Sequence, residues 1–312
     1  MKPAPEAAVT REGRVVSSHG RNAVVEDSMR RRVHCGLRGR RLAVVCGDIV
    51  RWLATDAEDA TGLITEISPR RTELARMNLR GQAEVVAANL TQLVSVIAPL
   101  PVPDLGLCDR YLAAAEWAGL KACVVANKSD LSGAGKLLDG ALEGYAALGY
   151  PVVWASKHAT GGARQLALRL KDEISVLVGQ SGVGKSSLIN LLVPGVEATV
   201  QEISRAAESG KHTTSVASLY RLPVGGDLVD SPGVRDFVPP LPVPRGIASG
   251  FREIARIAGN CRFKDCMHLR EPGCAVLAAT SAGEIQPRRI DSYRQLVTQA
   301  EERARRDPKL RR

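Results

Sequence analysis

Aromatic residues are scarce in this chain: phenylalanine, tryptophan and tyrosine make up only 4% of its 312 residues. The hydrophobic cores are therefore expected to consist of valine, leucine, isoleucine and alanine, since 45% of the chain is hydrophobic. No apolar run reaches the length of about 18 residues that a transmembrane helix needs. Residues 1–10 also lack the apolar core of a signal peptide, so the sequence predicts a cytoplasmic protein that does not span a membrane.

Disulfide bonds are not expected either, although the chain holds seven cysteines. An odd number of cysteines without a signal peptide favours reduced thiols. Four of them, scattered beside apolar residues, are predicted to be core thiols: Cys35, Cys46, Cys108 and Cys123. The other three lie close together near the C-terminus, beside a histidine.

The residue pattern predicts a multidomain α/β protein, in agreement with a length that favours two or three domains. Residues 1–10 are expected to be a flexible tail. Residues 11–75 contain five short alternating apolar runs separated by turn signals, which indicates a small β-barrel with the oligonucleotide-binding (OB) fold. Residues 76–240 alternate continuous apolar runs with helical stretches, which predicts a doubly wound α/β domain.

A phosphate-binding loop is predicted between the apolar strand 174–178 and a following helix, where the sequence fits G-x-x-x-x-G-K-[ST]. Glycines let backbone N–H groups close around phosphate oxygens at the helix N-terminus, and a chance glycine-rich turn is the disfavoured alternative. The predicted nucleotide contacts are Gly179, Gln180, Ser181, Gly182, Val183, Gly184, Lys185, Ser186 and Ser187. Lys185 is expected to reach the β and γ phosphates, and the Ser186 hydroxyl to ligate Mg²⁺.

A guanine-reading motif, N-K-x-D, follows the apolar strand 122–126 as Asn127, Lys128 and Asp130. A carboxylate accepts hydrogen bonds from the ring N–H and the exocyclic amine of guanine, whereas adenine presents the wrong donors. Alone the motif is also compatible with a polar turn, but beside a phosphate loop on the same sheet it predicts GTP. A second guanine-contacting turn is expected at Ser156 and Lys157.

Two further motifs indicate switch regions. Thr213 and Thr214 lie in a polar stretch; Thr214 is the candidate Mg²⁺ ligand, although the sequence does not decide between the two. Asp230 and Gly233 fit D-x-x-G, in which the carboxylate holds Mg²⁺ through water and the glycine N–H meets the γ-phosphate.

The residue that activates the attacking water is not the glutamine expected after D-x-x-G, because Val234 stands there. His212, in the first switch stretch, is the catalytic candidate, with a surface loop histidine as the alternative reading.

The order of these motifs is unusual, because the base-reading motif precedes the phosphate loop. A circularly permuted P-loop GTPase domain is therefore predicted, since a sheet needs only strand ends that deliver the loops to one edge. Asp130 and Lys185 are expected to converge at that edge. The permutation also places both switch regions directly before the C-terminal domain, which gives the hypothesis that switch movement acts on it.

The C-terminal domain, residues 241–312, begins at a proline-rich segment, 238–244, and is predicted to be helical, with one helix near 247–258. It contains three cysteines and one histidine within a short span: Cys261, Cys266, His268 and Cys274. This set is a closed tetrahedral one, which predicts one structural Zn²⁺ ion. A disulfide with bystander residues is the alternative, and a reducing compartment disfavours it.

Positive charge concentrates on the two flanking domains of a chain whose formal net charge is +10. Ten arginines and four acids in residues 11–51 give 10 − 4 = +6, and nine basic residues and four acids in residues 286–312 give 9 − 4 = +5. An OB-type barrel with this charge indicates RNA binding, with a solvated basic face as the alternative.

Taken together, these motifs resemble the bacterial ribosome small-subunit-dependent GTPase A family over about residues 12–300. The resemblance extends to residues 87–90, 109–112 and 230–237. It implies a cytoplasmic, monomeric GTPase whose partners are the small (30S) ribosomal subunit and its rRNA. That subunit is expected to stimulate the GTPase, which acts in its late maturation. It also supports His212 in catalysis. Thr91 and Lys211 depart mildly from the family pattern.

Two other functions compete with this reading. One is an RNA-binding assembly module that holds nucleotide only as a conformational signal. The other is a GTPase of membrane or metal trafficking, which the predicted barrel and the lack of an amphipathic anchor disfavour.

Overall fold

The computed structural model describes residues 10–39, 41–56, 61–78, 81–159, 161–196, 217–230 and 239–306. Within these ranges, no helix is long and apolar enough to cross a membrane. Apart from Thr10, the predicted tail lies outside the described residues. The domain limits near residues 75 and 240 stay predictions.

Five strands form the N-terminal barrel: β1 (Thr10–His19), β2 (Asn22–Asp27), β3 (Arg32–Leu37), β4 (Ile49–Asp56) and β5 (Thr61–Ile67). Strands β1, β2 and β3 pair antiparallel, β3 pairs parallel with β5, and β4 joins β5 back to β1, which closes the ring. Val15, Trp52 and Ile64 fill the interior and are at most 1% exposed. The predicted OB-type barrel is confirmed.

A hairpin that the sequence analysis did not anticipate, β6 (Glu73–Met77) and β7 (Ala83–Ala88), connects the barrel to the next domain. Its second strand lies against the barrel, where Cys46 pairs with Ala87. Gly47 has a φ of +93°, and a Cβ there would lie 2.0 Å from the Ala88 carbonyl oxygen. Only glycine therefore permits this close approach.

The central domain alternates strands and helices: β8 (Gln92–Ile97), α1 (Leu105–Trp117), β9 (Lys121–Ala126), α2 (Ala134–Ala147), β10 (Val152–Trp154), α3 (Arg164–Leu170), β11 (Ile174–Val178), α4 (Lys185–Leu192), β12 (Ala217–Arg221) and β13 (Asp227–Asp230). The strand order is β10-β9-β8-β11-β13-β12. All neighbours are parallel except β12 and β13, which are antiparallel. The predicted doubly wound domain is confirmed, with one antiparallel edge.

The barrel and the central domain share one sheet. Strand β1 pairs antiparallel with β12, with Ser17 opposite Ser218 and Ser18 opposite Ala217. The result is a continuous sheet of eleven strands that runs from β10 to the barrel. The salt bridge between Arg14 and Asp227 crosses the same junction, at 3.3 Å.

The C-terminal region consists of a 3₁₀ helix (Pro244–Gly250), α5 (Arg252–Ala258), α6 (Ala275–Ser281) and α7 (Pro287–Arg306). The helix expected near 247–258 is present but interrupted, because Phe251 is extended between the 3₁₀ helix and α5. Phe251 is buried in the core of this region, and Gly250 lies so close to Trp117 that a Cβ would be 2.5 Å from its Nε1. The helix is interrupted here because Phe251 is buried and Gly250 approaches α1 closely.

Candidate functional site

The phosphate loop and the two turns predicted to contact the base lie at one edge of the central sheet. Strands β9, β8 and β11 are adjacent and parallel, so their carboxyl ends lie side by side. The phosphate loop follows β11, and Asn127 follows β9 directly. Strand β10, beside β9, leads to Ser156 at the same edge. Ligands of open α/β sheets bind at such carboxyl ends.

The base-reading motif braces the phosphate loop directly. The Asn127 side-chain amide donates to the Val183 carbonyl at 2.8 Å, and Lys128 Nζ donates to the Gly182 carbonyl at 2.7 Å. Asn127 is only 4% exposed, and its Oδ1 is buried with no hydrogen-bond partner among the residues that the structure describes. A Cβ on Gly184 would lie 2.4 Å from Asn127 Nδ2, so this contact requires glycine. Two sequence motifs that are far apart in the chain thus form one structural unit.

Asp130, the carboxylate predicted to read guanine, is held by the turn that follows β10. The buried Ser156 hydroxyl donates to Asp130 Oδ1, and Ser156 Oγ in turn accepts from the backbone N–H of His158 at 3.0 Å. The hydrogen bond from Ser156 lowers the pKa of Asp130, as do the charges of His158 and Lys157. Asp130 is therefore ionised at neutral pH and exposed, as a double hydrogen-bond acceptor for a base must be. Lys157 is exposed beside it.

The phosphate loop turns through glycines with positive φ. Gly179 has a φ of +149°, and a Cβ there would lie 2.2 Å from the Val96 carbonyl oxygen. Helix α4 begins at Lys185, which is 7% exposed and whose Nζ donates to the carbonyls of Gly179 and Gln180, at 2.5 and 3.0 Å. Ser186 is exposed in the first turn of α4. Backbone N–H groups at this helix start can donate hydrogen bonds to a bound anion.

The D-x-x-G motif is described only at its first residue. Asp230 ends β13, which lies parallel to β11, so Asp230 reaches the same edge. The other predicted switch and catalytic residues, His212, Thr213, Thr214 and Gly233, lie outside the described residues.

The loop between β8 and α1 is a part of the site that the sequence analysis missed. Lys128 Nζ donates to the Leu100 carbonyl at 2.7 Å, and Leu100 precedes a cis peptide bond to Pro101. Gln180 of the phosphate loop accepts from the Asp104 N–H at 3.2 Å, next to the start of α1. The signal was three prolines within six residues after an apolar strand, which marks a fixed loop rather than a helix start.

Helix α1 also binds the C-terminal region through a buried charge that sequence reasoning did not assign. Asp109 is fully buried and accepts from Tyr145 at 2.7 Å, Arg288 at 2.5 Å, Arg289 at 2.9 Å and Ser292 at 2.6 Å. Three of these donors lie on α7. The carboxylate thus fixes the last helix against the nucleotide-site domain.

The four cysteine and histidine residues near the C-terminus form a group that could hold a metal ion. Their ligand atoms, in Cys261, Cys266, His268 and Cys274, all lie within 4.8 Å of one another. The Sγ atoms of Cys261 and Cys274 are 3.8 Å apart, and each lies 3.5 Å from His268 Nδ1. With Zn–S bonds of about 2.3 Å, a tetrahedron has S–S edges of about 3.8 Å. The residues therefore fit a tetrahedral ion of this size. Burial lowers the pKa of His268, which favours the neutral imidazole that binds metals.

Comparison with known proteins decides the family. The RsgA GTPase family model matches residues 67–238. The chain belongs to the RsgA GTPase family. It is 46% identical over 267 residues to the small ribosomal subunit biogenesis GTPase RsgA of Azotobacter vinelandii, covering 84% of this chain and 77% of that protein. Family membership identifies this protein as a GTP hydrolase.

Solved structures of the family share its architecture. The crystal structure of YjeQ from Thermotoga maritima is 32% identical and superposes with a TM-score of 0.76, covering 94% of this chain and 99% of that one. YloQ, a circularly permuted GTPase, is 25% identical with a TM-score of 0.73, covering 96% and 98%. The predicted permuted GTPase domain, with its OB-type barrel and C-terminal cysteine cluster, is confirmed.

Proposed function

We propose that this protein binds GTP and Mg²⁺ at the sheet edge, hydrolyses GTP to GDP and phosphate, and acts in late maturation of the small ribosomal subunit, which stimulates it. The observation that carries the proposal is the direct bracing of the phosphate loop by Asn127 and Lys128. Such bracing fixes the distance between a base-reading and a phosphate-binding element, as a single nucleotide requires.

At the base end, Asp130 is proposed to accept both guanine N–H donors. The Ser156 hydrogen bond supports this role, because it orients the carboxylate and lowers its pKa, which keeps it charged. Lys128 is proposed to line the base, and the backbone after Ser156, at Lys157, to meet the guanine oxygen. Adenine would not offer two N–H donors to Asp130 and would leave its carboxylate without hydrogen-bond partners, which gives specificity for guanine over adenine.

At the phosphate end, Lys185 is proposed to leave the loop carbonyls for the β and γ phosphates. Ser186 and Asp230 would hold Mg²⁺, directly and through water, and the ion neutralises phosphate charge that develops during transfer. The contacts of residues 179–187, and the roles of His212, Thr213, Thr214 and Gly233, stay predictions.

The cysteine and histidine group is proposed to bind one structural Zn²⁺ ion. Three thiols and one imidazole leave no open position for a substrate, so the ion would stabilise the region rather than react. The separations of the ligand atoms support the assignment.

The barrel is proposed to contact rRNA of the small subunit. Arg30, Arg38 and Arg41 are exposed on it, and no described acidic residue is in a salt bridge with them. Met29, beside Arg30, is 72% exposed in the same turn. Exposed guanidinium groups without a described acidic partner suit contact with a phosphate backbone. The protein is further proposed to be cytoplasmic and monomeric, which light scattering after gel filtration tests.

The deciding experiment measures phosphate release from GTP and from ATP, with and without purified 30S subunits. We expect GTP hydrolysis that subunits accelerate, and no response with ATP. Binding of GTP to the subunit complex without turnover would instead support the RNA-binding module that uses nucleotide as a signal. Equal use of GTP and ATP would contradict the site described here.

A further inference from the structure

The turn that carries two of the four metal-group residues has an unfavourable backbone. Cys266 and His268 are separated by one residue, so the chain must reverse sharply to aim both side chains at one point. His268 has a φ of +55°, in the left-handed region that non-glycine residues rarely occupy. Contacts beyond the backbone of His268 itself must therefore hold the turn in this conformation.

The carboxylate of Glu271 supplies that hold. One oxygen accepts from the Met267 N–H at 2.7 Å, and the other from the N–H groups of Leu269 and Arg270, at 2.8 and 3.0 Å. These three backbone donors surround His268 on both sides. The carboxylate is thus an anchor around which the turn is wrapped.

A second contact fixes the opposite side of the same turn. The Tyr293 hydroxyl, on α7, donates to the Met267 carbonyl at 2.8 Å. Tyr293 is 1% exposed, and its ring lies 6.1 Å from that of His268. The turn is therefore held between the Glu271 carboxylate and the last helix.

We infer that Glu271 is a positioning residue for the metal: its carboxylate holds Cys266 and His268 in the binding arrangement before the ion enters. Glu271 is not itself one of the candidate ligands, whose group contains only the three cysteines and the histidine. Partners that orient ligands in this way commonly change metal affinity about 10- to 100-fold when they are removed. The inference rests on the metal binding proposed above.

The test is Glu271→Gln in the full-length protein. The amide keeps the shape but puts an NH₂ group where an acceptor oxygen meets backbone N–H donors, so the turn loses part of its anchor. We expect zinc release to a chromophoric chelator to be about 10- to 100-fold faster than from the wild type. We also expect altered visible absorption bands of the cobalt-substituted protein, because these bands report ligand geometry.

Two further variants keep the test decisive. Asp265→Asn, at an exposed acid of the same loop, is the matched control and should release zinc at the wild-type rate. Tyr293→Phe keeps the buried ring and removes only the donor to Met267, so it should accelerate release by a smaller factor even if Glu271→Gln proves too unstable to purify.

The outcomes separate this inference from the metal site itself. Wild-type protein without bound zinc would overturn both. Zinc-containing wild type, together with Glu271→Gln protein that has unchanged release and unchanged cobalt bands, would overturn the positioning role alone. A lower unfolding temperature without a change in either metal readout would show that Glu271 is merely structural.

Discussion

The candidate nucleotide site and the metal group are both held by contacts within the protein, but by opposite means. The metal group draws its four side chains from residues 261–274, and a neighbouring carboxylate holds the turn between them. The nucleotide site instead joins loops that are distant in sequence, since Asn127 donates to Val183. A local site depends on the fold of one loop, whereas a distributed site depends on the register of an entire sheet. The two sites should therefore respond differently to damage.

The largest effect is expected from removal of a metal-group ligand. Cys274→Ser replaces a ligand whose side chain is only 5% exposed and should abolish zinc binding. The C-terminal region should then lose stability, because the free energy of binding a structural zinc, on the order of 10 kcal/mol, is also folding free energy. Zinc content and protease resistance of the C-terminal region measure this. GTP affinity should change far less, and an equal loss at both sites would contradict their independence.

The next effect concerns the buried carboxylate of Asp109, which joins α1 of the central domain to α7 of the C-terminal region. Asp109→Asn leaves the buried guanidinium of Arg289 and that of Arg288 without their full counter-charge, which should cost about 3 kcal/mol of unfolding free energy. Urea unfolding measures the loss, and Asp291→Asn on the exposed face of α7 is the control. A change below 1 kcal/mol, an ordinary surface effect, would mean that the network does not join the two regions.

A specific effect on the nucleotide site is expected from Asp130→Asn. Loss of two charge-assisted hydrogen bonds should weaken GTP binding about 100- to 1000-fold. Xanthine nucleotides should regain affinity, because they present a carbonyl where guanine has its amine. Calorimetry with guanine and xanthine nucleotides measures this change in preference. An unchanged preference for GTP would contradict a role of Asp130 in binding the base.

The smallest effect is expected from Ser156→Ala, which removes the hydrogen bond that lowers the pKa of Asp130. GTP affinity should fall about tenfold at pH 7, through lost orientation. As pH falls, the variant should lose further affinity at a higher pH than the wild type, because a carboxyl with the higher pKa is protonated first. Parallel wild-type and variant curves between pH 7 and 4 would contradict this link.

The contrast between local and distributed features also explains what could be predicted from the sequence. The cysteine cluster and the phosphate loop are short motifs whose chemistry fixes their spacing. Strands with regular alternation or continuous apolar residues were found for the same reason. The β6–β7 hairpin was missed because β6 is only five residues long and mixes charged with apolar residues, as the cross-strand contact between Arg76 and Glu84 shows.

Tertiary contacts decided the remaining features. Asp109 and Arg289 are 180 residues apart, so no local pattern indicates that both would be buried. The interruption of the helix at Phe251 depends on its burial in the C-terminal core, which a local helical pattern does not contain. The roles of His212 and Gly233 stay predictions. The order of the motifs was informative, because it indicated a circularly permuted domain. In such a domain the same loops must still lie at one edge of the sheet.

The pairing of β1 with β12 extends the sheet of the central domain directly into the barrel, so the two domains share backbone hydrogen bonds. Strand β12 pairs next with β13, which ends at Asp230. A force applied to the barrel would therefore pass through two pairs of hydrogen-bonded strands to Asp230 at the sheet edge. If a ligand at this edge changes the affinity of the barrel for its partner, binding of that partner changes the affinity for the ligand by the same factor.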